Sequence, residues 1–171
     1  MWIYGYGSLM WNPNFEYEEK IITTLHGYER SFCIKTHSHR GNAEQHGLVL
    51  GLIENSQSKC IGVAFKIKKS NIQSVIEYLD KRELDEGNYK KIIVDINHKI
   101  KNALIYVADI NSSLFSALEC PIQQAEIIES VKGDSGYNID YYNSIIEMLK
   151  NAGIKYEPIF KIKEYLKKNK I

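Results

Sequence analysis

Glu83 closes a run of charges, Asp80-Lys81-Arg82-Glu83, and a short Gly-rich stretch, Tyr4-Gly5-Tyr6-Gly7-Ser8-Leu9, stands near the start of the chain. A carboxylate that turns into a pocket can act as acid or base once desolvation lifts its pKa toward a working range. Two glycines at alternate positions after a strand permit positive φ and let backbone N–H groups approach an oxyanion or a carboxylate. Each feature also has a plainer reading. The charge run is more readily described as a solvated helix end, and an acid at a helix C-terminus opposes the macrodipole. The Gly stretch describes an ordinary turn, since it matches neither a dinucleotide fingerprint nor a P-loop. Local pattern leaves both choices open.

The other reactive residue types are weaker candidates. His37 and His39 would project from one face of a strand, with His46 as a third nitrogen, but neither HExxH nor paired cysteines accompany them, so a polar loop is preferred to a metal site. Arg40 suits a carboxylate clamp or a surface ion pair. Cys33 lacks the neighbours that activate a thiol, and Ser8 stands in no GxSxG elbow.

The elements that must position these residues follow from periodicity. Residues 1–4 read as a short strand entering the Gly turn, and 21–36, 47–54 and 60–67 as further strands, the last alternating Ile61, Val63, Phe65 and Ile67 with smaller or charged residues. Ser70 offers an N-cap, and Ile72, Val75, Ile76 and Leu79 place an apolar stripe on the helix that ends at Glu83. Leu84-Asp85-Glu86-Gly87-Asn88 reads as a turn into a strand over 89–96, paired through a turn near Asn97 and His98 with a strand over 101–109. Pro121 opens a helix reaching Val131. A break at Gly133-Asp134-Ser135-Gly136 separates it from a second helix, with Tyr141, Ile145, Met148 and Ala152 on one face. A last stripe of Ile159, Ile162 and Leu166 packs on the outside. Strands first and helices last make an α+β pattern, a small, curved or barrel-like, mostly antiparallel sheet with flanking helices.

Composition narrows the partners. The chain has 171 residues, the size of one domain, and no stretch reads as a linker, so a single domain over 1–171 is expected. Its 22 basic and 21 acidic residues leave a formal charge of +1, which gives no electrostatic drive toward nucleic acid or an anionic membrane. No apolar run approaches the ~20 residues of a membrane span, and the opening residues lack the form of a signal peptide. A soluble, cytoplasmic protein is expected. The three scattered cysteines, Cys33, Cys60 and Cys120, fit reduced, partly buried thiols rather than a disulfide framework.

Taken in order, several segments resemble the ChaC-type γ-glutamylcyclotransferases. Tyr6-Gly7-Ser8-Leu9 is similar to the family's YGSL, His39-Arg40-Gly41 to its HRG, Tyr78-Leu79-Asp80-Lys81-Arg82-Glu83 to its YLDxRE and Gly136-Tyr137-Asn138-Ile139-Asp140-Tyr141 to its late GxNxxY segment. The resemblance implies a small mixed barrel with flanking helices, acting on glutathione to release 5-oxoproline and cysteinylglycine. It implies Glu83 as the catalytic carboxylate and Ile3, Tyr4, Gly5, Tyr6, Gly7, Ser8 and Leu9 as the substrate-binding loop, with Arg40, Tyr89 and Tyr141 as pocket residues. The chain departs from the family at Leu84-Asp85-Glu86-Gly87-Asn88, longer and more acidic than the usual Gly-rich turn.

The implied chemistry suits the inventory. The α-amine of a γ-glutamyl amide can attack its own γ-carbonyl and close a five-membered lactam, so neither a protein nucleophile nor a metal or cofactor is required. Two alternatives stand beside the glutathione enzyme: a cyclotransferase for other γ-glutamyl amines or dipeptides, and a γ-glutamyl-binding protein without turnover.

Overall fold

The computed structural model describes residues 1–84, 87–117 and 120–166. The chain divides into two compact units, Met1–Glu29 with Leu52–Ser113 and Arg30–Gly51 with Leu114–Ile171. Its five longer strands are β1 (Trp2–Gly5), β2 (Glu19–Thr36), β3 (Gly47–Lys66), β4 (Tyr89–Val94) and β5 (Ala103–Ala108). They form one sheet in the order β2-β3-β1-β5-β4. β1 runs antiparallel to β3, with Ile3 opposite Phe65, and parallel to β5, with Ile3 opposite Leu104. β4 and β5 are antiparallel, from Tyr89 opposite Ala108 to Val94 opposite Ala103.

The fold is therefore α+β with a mostly antiparallel sheet, as the sequence suggests, but the sheet is not closed into a barrel. β2 and β4 are its two ends. β4 carries Lys90 and Lys91 at exposed positions, and lysines on an edge strand oppose further pairing. A second correction concerns β3, which is one strand where two were expected. Its polar middle stays extended because Asn55 Nδ2 and Ser58 Oγ both donate to Glu29 Oε2, at 2.7 and 2.8 Å.

In the first unit, helix α1 (Ile72–Leu84) lays Val75 and Leu79 against Ile3, Leu9, Val63, Phe65, Ile67, Leu104 and Tyr106. Every residue of β5 is buried, which fits an apolar interior strand. Ser70 does not cap α1. It lies in a single 3-10 turn, Lys69–Asn71, and its hydroxyl donates to Asn71 Oδ1 at 2.7 Å. The acidic residues Asp85 and Glu86 of the turn after α1 lie outside the described residues.

In the second unit, helix α2 (Pro121–Ser130) packs against α3 (Asn138–Asn151) and α4 (Ile162–Tyr165). The expected break between α2 and α3 is a small hairpin of β6 (Lys132–Gly133) and β7 (Gly136–Tyr137). The buried face of α3 is Asn138, Tyr142, Ile145, Ile146 and Leu149, one position away from the face expected from Tyr141 and Met148. Tyr142 turns inward because its ring meets Phe32 at 5.5 Å and its hydroxyl donates to Ile159 O at 3.2 Å. Ile159 and Ile162 are buried, so the last stripe belongs to the core of this unit rather than to its outside. No described helix is long and apolar enough to cross a membrane.

Candidate active site

β1 delivers the chain into the Gly-rich loop, which closes at once into a 3-10 turn, Ser8–Met10, through Met10 N–H donating to Gly7 O at 2.9 Å. That tight closure explains Gly5. A Cβ there would lie 2.7 Å from Leu9 Cβ, so the requirement is close approach rather than the positive φ expected; Gly7 likewise has φ −126°. Ile3, Tyr4, Tyr6 and Leu9 are buried, so the loop presents its backbone and Ser8 rather than these side chains.

Tyr4 is fixed by β3. Its hydroxyl donates to Cys60 O at 2.7 Å, and its ring crosses Gly62, where a Cβ would lie 2.6 Å from Tyr4 Cζ and 2.4 Å from Gly5 O. Gly62→Ala is expected to force the start of the loop off β3 and to cost roughly 1–3 kcal/mol, as overpacking of a tight site does. Urea unfolding would check this. A midpoint equal to wild type would show that the contact between Gly62 and Tyr4 does not hold the loop.

The end of α1 brings Arg82 to the same loop, with Glu83 as the next residue. Arg82 Nη2 donates to Ser8 Oγ at 2.6 Å, and Nη1 donates to Tyr78 Oη at 2.9 Å and Asn12 O at 3.4 Å. Arg82 Nε stands 3.1 Å from Glu83 Oε1, with the Glu83 side chain only 19% exposed. Burial raises the Glu83 carboxyl above its ordinary value, and the Arg82 charge opposes this without cancelling it. A half-buried carboxylate with raised proton affinity is suited to taking and returning a proton.

One turn back on α1, Asp80 is tied to the sheet. Lys91 Nζ of β4 donates to Asp80 Oδ1 and Oδ2 at 3.0 and 2.7 Å, and Tyr106 Oη of β5 donates to Oδ1 at 2.7 Å. Burial acts to raise the Asp80 carboxyl, but the bonds from Lys91 and Tyr106 and the Lys91 charge outweigh it and hold the group below its ordinary value. The Tyr106 phenol is pushed up by burial, by Asp80 and, more weakly, by the charge of Glu83. Tyr89 opens β4, half-buried against the core of the same unit.

Arg40 and Tyr141 belong to the second unit, where they meet each other. The guanidinium carbon of Arg40 lies 5.4 Å from the Tyr141 ring centroid, and its Nη1 donates to Tyr137 O at 3.3 Å. Asn138 is wholly buried as a clip, accepting from Leu48 N–H at 2.7 Å and donating to Leu48 O at 2.8 Å. β2 ends at Thr36, so His37 and His39 sit in a loop and not on a strand face. His37 Nδ1 lies 3.2 Å from Asn42 O and His39 Nδ1 lies 3.3 Å from Ser135 Oγ. Among the described residues no cluster of three or more His, Cys, Asp or Glu could hold a metal ion. Cys33 and Cys60 are buried and Cys120 is exposed. Burial pushes the Cys33 thiol up to about 12, which keeps it protonated and unreactive.

A family model described as ChaC-like protein matches residues 1–169, nearly the whole sequence. The chain belongs to the ChaC-like family. Among its relatives, a glutathione-specific gamma-glutamylcyclotransferase 1 of Danio rerio is 34% identical over 155 residues, covering 88% of this chain and 79% of that protein. A glutathione-specific gamma-glutamylcyclotransferase of Schizosaccharomyces pombe is 32% identical over 169 residues, covering 88% and 83%. A crystal structure of a yeast γ-glutamyl cyclotransferase specific to glutathione superposes with a TM-score of 0.83 over 97% of both chains at 22% identity, which shows a shared fold.

Within this ChaC-like chain, sequence reasoning missed the ties around Glu83. Tyr78 and Arg82 stand at i and i+4, a spacing that signals facing side chains on a helix. Nothing local announces that Arg82 reaches Ser8, or Asp80 reaches Tyr106, because those partners are 74 and 26 positions away.

Proposed function

We propose that the protein is a glutathione-specific γ-glutamylcyclotransferase, with residues 1–171 acting as one catalytic domain, Glu83 as the acid/base and the Gly-rich loop as the substrate cradle. The observation that carries the reading is the half-buried Glu83 carboxylate, of raised proton affinity, joined through Arg82 to Ser8 of that loop. The names of the ChaC-like relatives supply the substrate class, and the match over 1–169 passes through both units.

In this mechanism backbone N–H groups around residues 5–8 hold the substrate's α-carboxylate or the developing oxyanion as fixed dipoles. The folded-back substrate places its α-nitrogen against its own γ-carbonyl, an arrangement that can remove up to ~7–11 kcal/mol of barrier. Glu83 takes a proton from the α-ammonium, the freed amine attacks the γ-carbon, and the bond to the cysteinyl nitrogen breaks. Two protons leave the α-nitrogen in all and two finish on the cysteinyl nitrogen, so one carboxyl relaying each in turn closes the balance. Arg40, Tyr89 and Tyr141 are assigned to substrate binding on the resemblance of their segments. The reaction's partner is then a small molecule, and a cytoplasmic location suits a glutathione substrate.

Glutathione, a γ-glutamyl dipeptide and a γ-glutamylamine assayed side by side for 5-oxoproline would test the reading. The expected result is release of 5-oxoproline and cysteinylglycine from glutathione at a kcat/KM at least tenfold above the others. A preference for either competitor would move the assignment to that substrate, and binding of glutathione without any 5-oxoproline would replace the enzyme by a binding protein.

A further inference from the structure

Arg82 is left without a part in the reaction as written. We propose that Arg82 is a positioning residue: one planar guanidinium holds the Gly-rich loop through Ser8 and the carboxylate of Glu83 together, so that cradle and base keep a fixed separation. The inference rests on the reading of Glu83 as the base and adds to it.

The geometry points this way because adjacent residues on a helix do not face each other; only those three or four apart do. Arg82 nevertheless brings Nε to 3.1 Å from Glu83 Oε1. Its other two nitrogens show why. Nη1 is anchored on Tyr78 Oη at 2.9 Å, one turn earlier, and on Asn12 O at 3.4 Å, while Nη2 is anchored on Ser8 Oγ at 2.6 Å. The side chain is thus drawn across the helix toward the loop, and Nε meets the carboxylate as a result. A guanidinium can do this because its donors form a rigid fork; an ammonium could reach one end of the tie but not all of it. At 25% and 19% exposure the two side chains are shielded well beyond an ordinary surface pair.

Among the described residues, Arg82 is the one charge found to act on the Glu83 carboxyl. From β5 there is the neutral Tyr106 phenol; from β4, Lys91 is spent on Asp80; and from the loop side the contact to Arg82 is the uncharged Ser8 hydroxyl. Arg82 is the charge that opposes the burial of Glu83. Removing it lets the carboxyl rise further, and the acid limb of the pH profile, which reports loss of the ionised base, moves to higher pH.

The test compares Arg82→Lys, Arg82→Gln and Ser8→Ala in the full chain, with glutathione as substrate. Arg82→Lys is expected to keep the position of the acid limb while kcat falls roughly 10- to 100-fold, the scale of loss when a reacting pair is misplaced by about 1 Å. Arg82→Gln is expected to lose at least as much and to shift the limb upward. Ser8→Ala, which removes only the loop's end of the tie, is expected to lower kcat without lowering the thermal midpoint, and it carries the test if Arg82→Gln does not fold. Wild-type kcat in Arg82→Lys and Ser8→Ala, or an acid limb unmoved in a folded Arg82→Gln, would overturn the inference. That outcome together with an inactive Glu83→Gln would leave the base assignment standing, whereas full turnover by Glu83→Gln would remove the assignment itself.

Discussion

Glu83→Gln is expected to lower the rate of 5-oxoproline release from glutathione by about 100- to 10,000-fold, the usual range for losing a positioned acid/base. The amide keeps the shape of the side chain and cannot accept the proton. Turnover within tenfold of wild type would end the mechanism. The pH profile of the wild type gives an independent reading. Since burial raises the Glu83 carboxyl, the acid limb of kcat/KM should lie above the ordinary carboxylate range, with activity falling as pH drops through the raised value. The same shift acts on stability with the opposite preference. Between the ordinary and the raised value the folded state binds more protons than the unfolded, so stability declines as pH rises through that window. Glu83→Gln removes the decline, and the variant should be at least as stable as wild type at pH 7 while nearly inactive. Function and stability would then part at this residue, as expected where a charge is kept buried for its chemistry.

What could be read from sequence was what local pattern encodes. The stripe of Ile72, Val75, Ile76 and Leu79 located α1 within a residue of its end, alternation located β4, and the turn near Asn97 and His98 located β5 as its partner. Non-local facts did not come through. Whether the sheet closes depends on which strands become its ends, and the polar stretch from Asn55 to Ser58 looked like a break because Glu29, its partner, is far away in sequence. For Glu83 the local charge run favoured a solvated helix end. The ordered resemblance of several segments reversed that, and the carboxylate is indeed largely buried. The Gly-rich stretch does follow β1 as read, but Leu9 crowds Gly5 where positive φ was expected.

Glu157→Ala is expected to destabilise the protein by about 3–5 kcal/mol, the cost of breaking a buried ion pair by removing one partner. Arg30 of β2 is among the largest fully buried side chains, and its Nη1 is paired with Glu157 Oε2, with side-chain exposures of 0% and 4%. The residue stands just before the turn Pro158–Lys161, so the pair fastens the C-terminal segment of the second unit, beside the Tyr142 bond to Ile159. A loss of that size should lower Tm by roughly 6–20 °C in a chain of this length. The pair is costly to break without being an optimal way to fill its space. Glu157 Oε1 is buried with no hydrogen-bond partner among the described residues, so part of the desolvation of this carboxylate is not recovered. Replacing both members, Arg30→Met with Glu157→Leu, should therefore recover most of the loss and could exceed wild-type stability by about 1–4 kcal/mol, as apolar replacement of buried ion pairs can. Thermal and urea unfolding of the two single variants and the double would decide. A Glu157→Ala change under 1 kcal/mol would mean that water reaches the pair, and a double variant no better than the worse single would mean that packing, not charge, sets the cost.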